Sequence, residues 1–308
     1  MTAVAEPVTT TWRPAFPVDV RATLWPLARG GGDPCHQFAP DGALWRTTLM
    51  ASGPASYRLT ARGLHEITCQ AWGPGAEEVV AGLPDLLGGR DDPAGFVPAH
   101  PLLSESYDRN PGLRIPRSGR VMEALVPAVL EQKVTGKQAR MAWRWLVRRY
   151  GTPAPGPAPA AMRVPPSGEV WRHIPSWDWH RAGVEPPQSR TIVTCARVAA
   201  QLDRCADLPL EEAYRRLQSM RGIGVWTAAE VAGRALGDTD ALSVGDYHLS
   251  KVVGHALVGE PLDDDGMVEL LEPWRPHRYR VVRLIESSPF AHAPRRGPRM
   301  TIQDHRRH

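Results

Sequence analysis

One stretch of a dozen residues, Met-Arg-Gly-Ile-Gly-Val-Trp-Thr-Ala-Ala-Glu-Val at 220–231, has the spacing of a functional turn. Gly222 and Gly224 stand one residue apart, and the small residues around Trp226 read as the start of a helix. Glycine admits backbone angles and close approaches that a side chain blocks. A helix that begins after such a turn points free N–H groups and its positive dipole end outward, where a phosphate fits. The same two glycines equally suit a tight corner between packed helices, and alone they leave both readings open. Asp246, about 20 residues on, falls where a further helix should open and is a favoured N-cap by type. Cys35, Cys69, Cys195 and Cys205 are scattered, with no Cys-x-x-Cys pair. They read as reduced thiols, not as a zinc ribbon or an iron–sulfur cluster.

The elements that must carry these residues follow from patterning. Residues 43–52, 55–63 and 64–73 alternate or favour β structure, with Ser-Gly-Pro-Ala as a turn between the first two, and 75–88 reads as a helix. Residues 1–104 therefore predict a small α+β domain with antiparallel strands. From 105 to 290 the texture is helical. Residues 120–151 hold two helices meeting near Lys133–Gly136, followed by a Pro- and Ala-rich loop at 151–168 that should be exposed and extended. Helices are predicted again at 189–205, at 209–220 with its N-terminal acids, and from Val225 to Leu236. Others should open at Asp246 or Tyr247 and follow Pro276. The Arg-Gly-Ile-Gly run is then a hairpin between two helices. The Arg-, His- and Pro-rich tail at 291–308 reads as disordered and basic.

Composition narrows the classes. With 42% hydrophobic residues in 308, the chain suits a soluble globular protein of one or two domains. No run of about 18 apolar residues appears, and the N-terminus lacks the basic and apolar regions of a secretory signal. A cytoplasmic protein with no membrane partner is expected. The net charge of +4 is supplied almost wholly by arginine, since Lys133, Lys137 and Lys251 are the only lysines. That permits nucleic-acid binding without requiring it.

A helix–Gly-x-Gly–helix unit followed by an aspartate at a helix start resembles the helix-hairpin-helix DNA glycosylase superfamily, and within it the 3-methyladenine DNA glycosylase II (AlkA-type) family. The resemblance rests on 217–236 and 243–253, with support from 111–139 and 272–280, and more weakly from 18–34. It implies an α+β N-terminal domain followed by a mainly α-helical glycosylase fold. It also implies base-excision repair chemistry on double-stranded DNA containing damaged bases, in a monomer associated with the nucleoid. No cofactor is implied beyond a monovalent cation at the hairpin turn.

Carried over residue by residue, the resemblance makes Asp246 the catalytic carboxylate. Breaking an N-glycosidic bond builds positive charge on the sugar, and a fixed anion stabilises that charge and orients water. Gly222, Ile223, Gly224, Val225 and Thr227 fall at the phosphate contact of the hairpin. Trp226 occupies the position where backbone-cleaving relatives such as endonuclease III carry a lysine nucleophile, so a monofunctional enzyme without a lyase step is implied. Trp226 and Tyr247 would line the base site, or simply pack. Gln132 and Lys133 lie where the family inserts a residue into the gap left by an extruded nucleotide. That residue is often leucine, and a lysine favours phosphate over an apolar wedge.

Two departures remain. Glu230, one turn after Trp226 and on the same face, and Glu286 stand where relatives carry aromatics that meet the damaged base. A pocket with carboxylates in place of aromatic faces would suit a different lesion. Against this, Glu230 is four residues from Arg234 and is placed for an ion pair, and Glu286 falls at a helix end. A helix-hairpin-helix protein that binds DNA without catalysis is the remaining reading.

Overall fold

The computed structural model describes residues 6–290. Its N-terminal part is built on a five-stranded antiparallel sheet: β1 (Val8–Trp12), β2 (His36–Phe38), β3 (Leu44–Met50), β4 (Gly53–Ala61) and β5 (Ile67–Trp72). The spatial order is β1-β5-β4-β3-β2. Alternation decides which way each strand faces. Ala55, Tyr57 and Leu59 of β4 and Ile67, Cys69 and Ala71 of β5 point to one face. There they pack on α1 (Val20–Leu24), α2 (Ala76–Ala81) and α3 (Leu83–Leu86). The predicted helix at 75–88 is broken into α2 and α3 at Gly82, ahead of Pro84, whose ring suits only a first turn. Two strands escaped the sequence reading. β2 has three residues, too few to show a period, and β1 lies in a run of threonines.

The opposite sheet face is covered by the segment expected to be an exposed loop. Within 151–168, β6 (Thr152–Pro153) and β7 (Arg163–Val164) pair antiparallel. Met162 seals the stacked Trp45 and Trp72, whose ring centroids are 5.2 Å apart. Ser56 Oγ donates to the Pro155 carbonyl at 2.6 Å, and Thr47 Oγ1 to the Arg163 carbonyl at 2.6 Å. Proline and alanine content suggested a free linker, but two inward tryptophans on the sheet required a cover.

The rest is helical: α4 (Pro101–Arg109), α5 (Val121–Leu130), α6 (Gly136–Tyr150), α7 (Gly168–His173), α8 (Ser176–Ala182), α9 (Pro186–Ala196), α10 (Ala199–Asp203), α11 (Leu210–Ser219), α12 (Val225–Val231), α13 (Leu249–Leu257), α14 (Asp264–Leu271) and α15 (Arg278–Glu286). Every residue of α5 except Glu123 is buried, and an all-round apolar helix belongs at the centre of a core. α6 starts with a complete capping box, Thr135 with Gln138. The corner predicted near Lys133–Gly136 is thus present, and Lys133 there adopts a left-handed φ of 57°. The chain from Val225 continues past α12 through a π-helical turn at Ala232–Leu236. α13 opens at Leu249, two or three residues later than the predicted start at Tyr247 or Asp246, because Asp246 caps it from outside the helix. No helix among the described residues is long and apolar enough to cross a membrane. The tail at 291–308 lies outside the described residues.

Candidate functional site

The hairpin is built from its turn outward. α11 ends at Ser219, and the Ile223 N–H closes the turn on the Met220 carbonyl at 3.0 Å. Gly222 has φ +93°, and a Cβ there would lie 2.2 Å from Thr191 Oγ1, so the fold itself demands this glycine. Gly224 differs. Its φ is −92°, and an added Cβ would meet nothing within 4 Å. Nothing inside the protein requires that glycine. It precedes α12, whose first amides, at Val225, Trp226 and Thr227, have no backbone acceptor among the described residues. Val225 is exposed beside them.

The side chains of Ile223 and Thr227 face inward, so at these two positions only the backbone is left to meet a phosphate. Ile223 is part of the helical core, and its N–H is spent on the turn. Thr227 is buried and accepts from Gln132 Nε2 at 2.8 Å. Gln132 also donates to the Gly222 carbonyl at 2.9 Å, so it clasps the α5–α6 corner onto the hairpin instead of reaching outward. Gln188 donates to the carbonyls of Leu130 and Gln132 and holds that corner from behind. Lys133, next in the chain, is exposed.

Asp246 and Trp226 meet. The indole Nε1–H donates to Asp246 Oδ2 at 3.1 Å. Oδ1 accepts from the amides of His248, at 2.8 Å, and Leu249, at 2.9 Å, so one oxygen caps α13 while the other faces the tryptophan. Three N–H donors hold the carboxylate in one orientation, as a charge-stabilising group requires. Tyr247 is 67% exposed, with the His248 ring edge-on at 4.8 Å and the Lys251 ammonium 4.3 Å from its ring centroid.

The two glutamates are engaged. Glu230 Oε2 pairs with Arg234 Nη1 at 2.8 Å, and Oε1 accepts from Ser243 Oγ at 2.6 Å. Both oxygens are thus engaged within the protein. The Glu230–Ser243 bond instead ties α12 to the loop that carries Asp246, one turn beyond the Trp226 tie. Arg234 continues the chain, donating Nε to the Pro26 carbonyl of the N-terminal part at 2.9 Å. Burial opposes its charge, but Glu230, Tyr279, Glu131 and Glu286 outweigh that and raise its pKa. Arg29, buried nearby, is lowered by burial and by Arg234. Glu286 is half exposed at the end of α15 and pairs with Arg283 at 2.6 Å. Ser243 and Arg29 were missed from sequence. No local motif marks a residue whose partner is 13 or more positions away.

Among the described residues no cluster of three or more His, Cys, Asp or Glu side chains is placed to hold a metal ion. The turn carbonyls of Met220 and Gly222 already accept from Ile223 N–H and Gln132 Nε2.

No family model matches the chain. Over 194 residues it is 32% identical to the Mycobacterium tuberculosis "Probable bifunctional transcriptional activator/DNA repair enzyme AlkA", a match covering 61% of this chain and 38% of that protein. The chain thus corresponds to well under half the length of that curated relative. The 3-methyladenine DNA glycosylase of Archaeoglobus fulgidus superposes with a TM-score of 0.76 at 19% identity, over 90% of this chain and 97% of that one. A Clostridium acetobutylicum 8-oxoguanine glycosylase/lyase superposes with a TM-score of 0.70 at 11% identity, over 92% and 97%. At those identities the likeness is one of fold, and the fold is shared by enzymes with and without "lyase" in their names. The chain is thus similar in fold to these DNA glycosylases and, over 194 residues, similar in sequence to that AlkA protein.

Proposed function

We propose that the protein is a monofunctional DNA glycosylase that hydrolyses the N-glycosidic bond of a damaged, alkylated purine extruded from duplex DNA. The observation that carries this reading is the Trp226–Asp246 contact beside the open glycine of the hairpin. Phosphate at the α12 amides would position the duplex without reading its sequence. As the bond from the sugar to the base breaks, the base departs with the bonding pair and positive charge grows on the sugar. The Asp246 carboxylate faces that charge and orients the incoming water, whose proton is lost as the new C–O bond forms. A cationic alkylated base leaves readily, so one carboxylate suffices. Trp226 offers an aromatic face to such a base. Lys133, exposed on the α5–α6 corner, supplies charge to the backbone near the vacated nucleotide.

The hairpin and Asp246 lie on one chain, which supports a single copy acting on damaged double-stranded DNA in association with the nucleoid. With tryptophan in the place of a nucleophilic amine, the strand should stay intact after base loss. Base release from alkylated duplexes tests the whole reading. Wild type should free alkylated purines, while Asp246→Asn should free none yet bind the same DNA. Equal base release by both would overturn it, and borohydride trapping of a covalent complex would overturn the monofunctional part.

A further inference from the structure

Only two glycines among the described residues have neither a positive φ nor an internal atom within 4 Å of a would-be Cβ: Gly224 and Gly31. Each of the others is accounted for by its own backbone or its own neighbours. A glycine that the fold does not demand is one that a partner's close approach can demand. At Gly224 that partner is the phosphate of the proposed function. Gly31 sits in the Gly30–Gly32 loop of the N-terminal part, laid across α6.

Arg140, Arg144 and Arg148 recur every four residues on α6 and so form a row on one face. Each meets one glycine of the loop. The Arg140 stem lies against Gly30, where a Cβ would come within 2.5 Å of its Cδ. Arg144 Nη1 donates to the Gly31 carbonyl at 2.5 Å, and Arg148 Nη2 to the Gly32 carbonyl at 3.3 Å. None of the three has a carboxylate within 4.0 Å among the described residues, whereas Arg234, Arg278, Arg280 and Arg283 are all so paired. A guanidinium carries five N–H donors, and Arg144 and Arg148 each spend one on the loop. Arg140 and Arg148 are exposed, and so is Lys137, one turn nearer the hairpin. The row begins eight residues beyond Gln132, the residue clasped to Gly222 and Thr227.

We infer that the Gly30–Gly32 loop and the arginine row of α6 form a second phosphate-binding surface, which takes the DNA backbone flanking the hairpin. The inference rests on DNA being the ligand. From Arg140 to Arg148 the helix rises about 12 Å, and a DNA strand advances about 3.4 Å per phosphate. The row therefore matches three or four consecutive nucleotides. Bound there, the backbone would meet unpaired guanidinium donors, with Gly31 leaving room for its approach.

The test compares wild type, Gly31→Glu and the triple variant Arg140→Gln/Arg144→Gln/Arg148→Gln. Binding to an undamaged duplex is followed by fluorescence anisotropy over a range of NaCl, alongside Tm. Gly31→Glu should fold normally, since its φ is ordinary and its surroundings are open. It should weaken duplex binding about tenfold or more at low salt. The triple variant should lower the slope of log Kd against log salt by about 2 to 3, at roughly 0.9 per lost contact. Unchanged slopes and affinities, with or without a drop in Tm, would make the row a clasp for the loop only and overturn the inference. Base release by wild type is read separately. Release with unchanged slopes keeps the enzyme and removes this surface, whereas reduced slopes without release keep the surface and remove the enzyme. A wild type that binds no duplex removes both.

Discussion

Asp246 is oriented by three donors, of which only the Trp226 indole N–H belongs to a side chain. Trp226→Phe deletes the indole N–H while keeping an aromatic face. A hydrogen bond to a charged group contributes about 1.5–3 kcal/mol, so the single-turnover rate of base release should fall roughly 10- to 100-fold. Duplex Kd should stay nearly unchanged, because the amides of α12 are untouched. Asp246→Asn should abolish release at little cost in Tm, since asparagine caps a helix as well as aspartate does. A large Tm loss in urea or thermal melts would mean that the aspartate serves chiefly as a cap.

At the scale of elements, the two glycines of the hairpin separate by purpose. Gly222→Ala forces a Cβ onto Thr191 at a left-handed φ and should cost about 2–3 kcal/mol in a denaturant melt. Gly224→Ala should cost about 1 kcal/mol or less, the scale of a lost cap, yet weaken duplex binding, because the added methyl points into open space. α12 is tied to the Asp246 loop at Glu230–Ser243 as well as at Trp226–Asp246. Glu230→Ala leaves Arg234 without its closest carboxylate and should destabilise by about 3 kcal/mol. It should not alter the preference among lesions, since Glu230 is held by Arg234 and Ser243 within the fold. A changed base-release profile in this variant would return Glu230 to the base site.

Across the whole molecule, arginines of the helical part join it to the N-terminal part. Arg280 of α15 grips Asp91 in a fully buried pair, Arg283 donates to the Ala22 carbonyl at 2.8 Å, and Arg234 to that of Pro26. Removing one partner of a buried pair costs about 3–5 kcal/mol, so Asp91→Ala should lower Tm sharply while leaving the hairpin unaltered. Global stability also carries a pH signature. Burial first, then Arg46 and Arg29, push the His36 pKa from 6.5 down to about 3. The folded state keeps this imidazole neutral while the unfolded chain protonates it below about 6.5. The stability it contributes is therefore complete above that pH and is lost as pH falls toward 3, at up to about 1.4 kcal/mol per unit. His36→Gln should flatten the wild-type dependence between pH 6.5 and 4 in melts at matched salt, and parallel curves for the two proteins would refute it.

Local spacing was sufficient for the hairpin, for the helices on either side of it, and for the three longer strands. Each is specified by a period or a turn within about a dozen residues. The family resemblance singled out Trp226 and Asp246, though not that their side chains touch. The partners of Glu230, the inward commitment of Thr227 and Gln132, and the covering of Trp45 and Trp72 by a proline-rich segment depend on residues far apart in the chain. The glycine loop over the α6 arginines is of the same kind, more than a hundred positions separating its halves. Periodicity records which face a residue takes, but a contact between two faces exists only once the elements have packed. For that reason Glu230 read equally well as a base contact or as an ion pair until Ser243 and Arg234 were beside it.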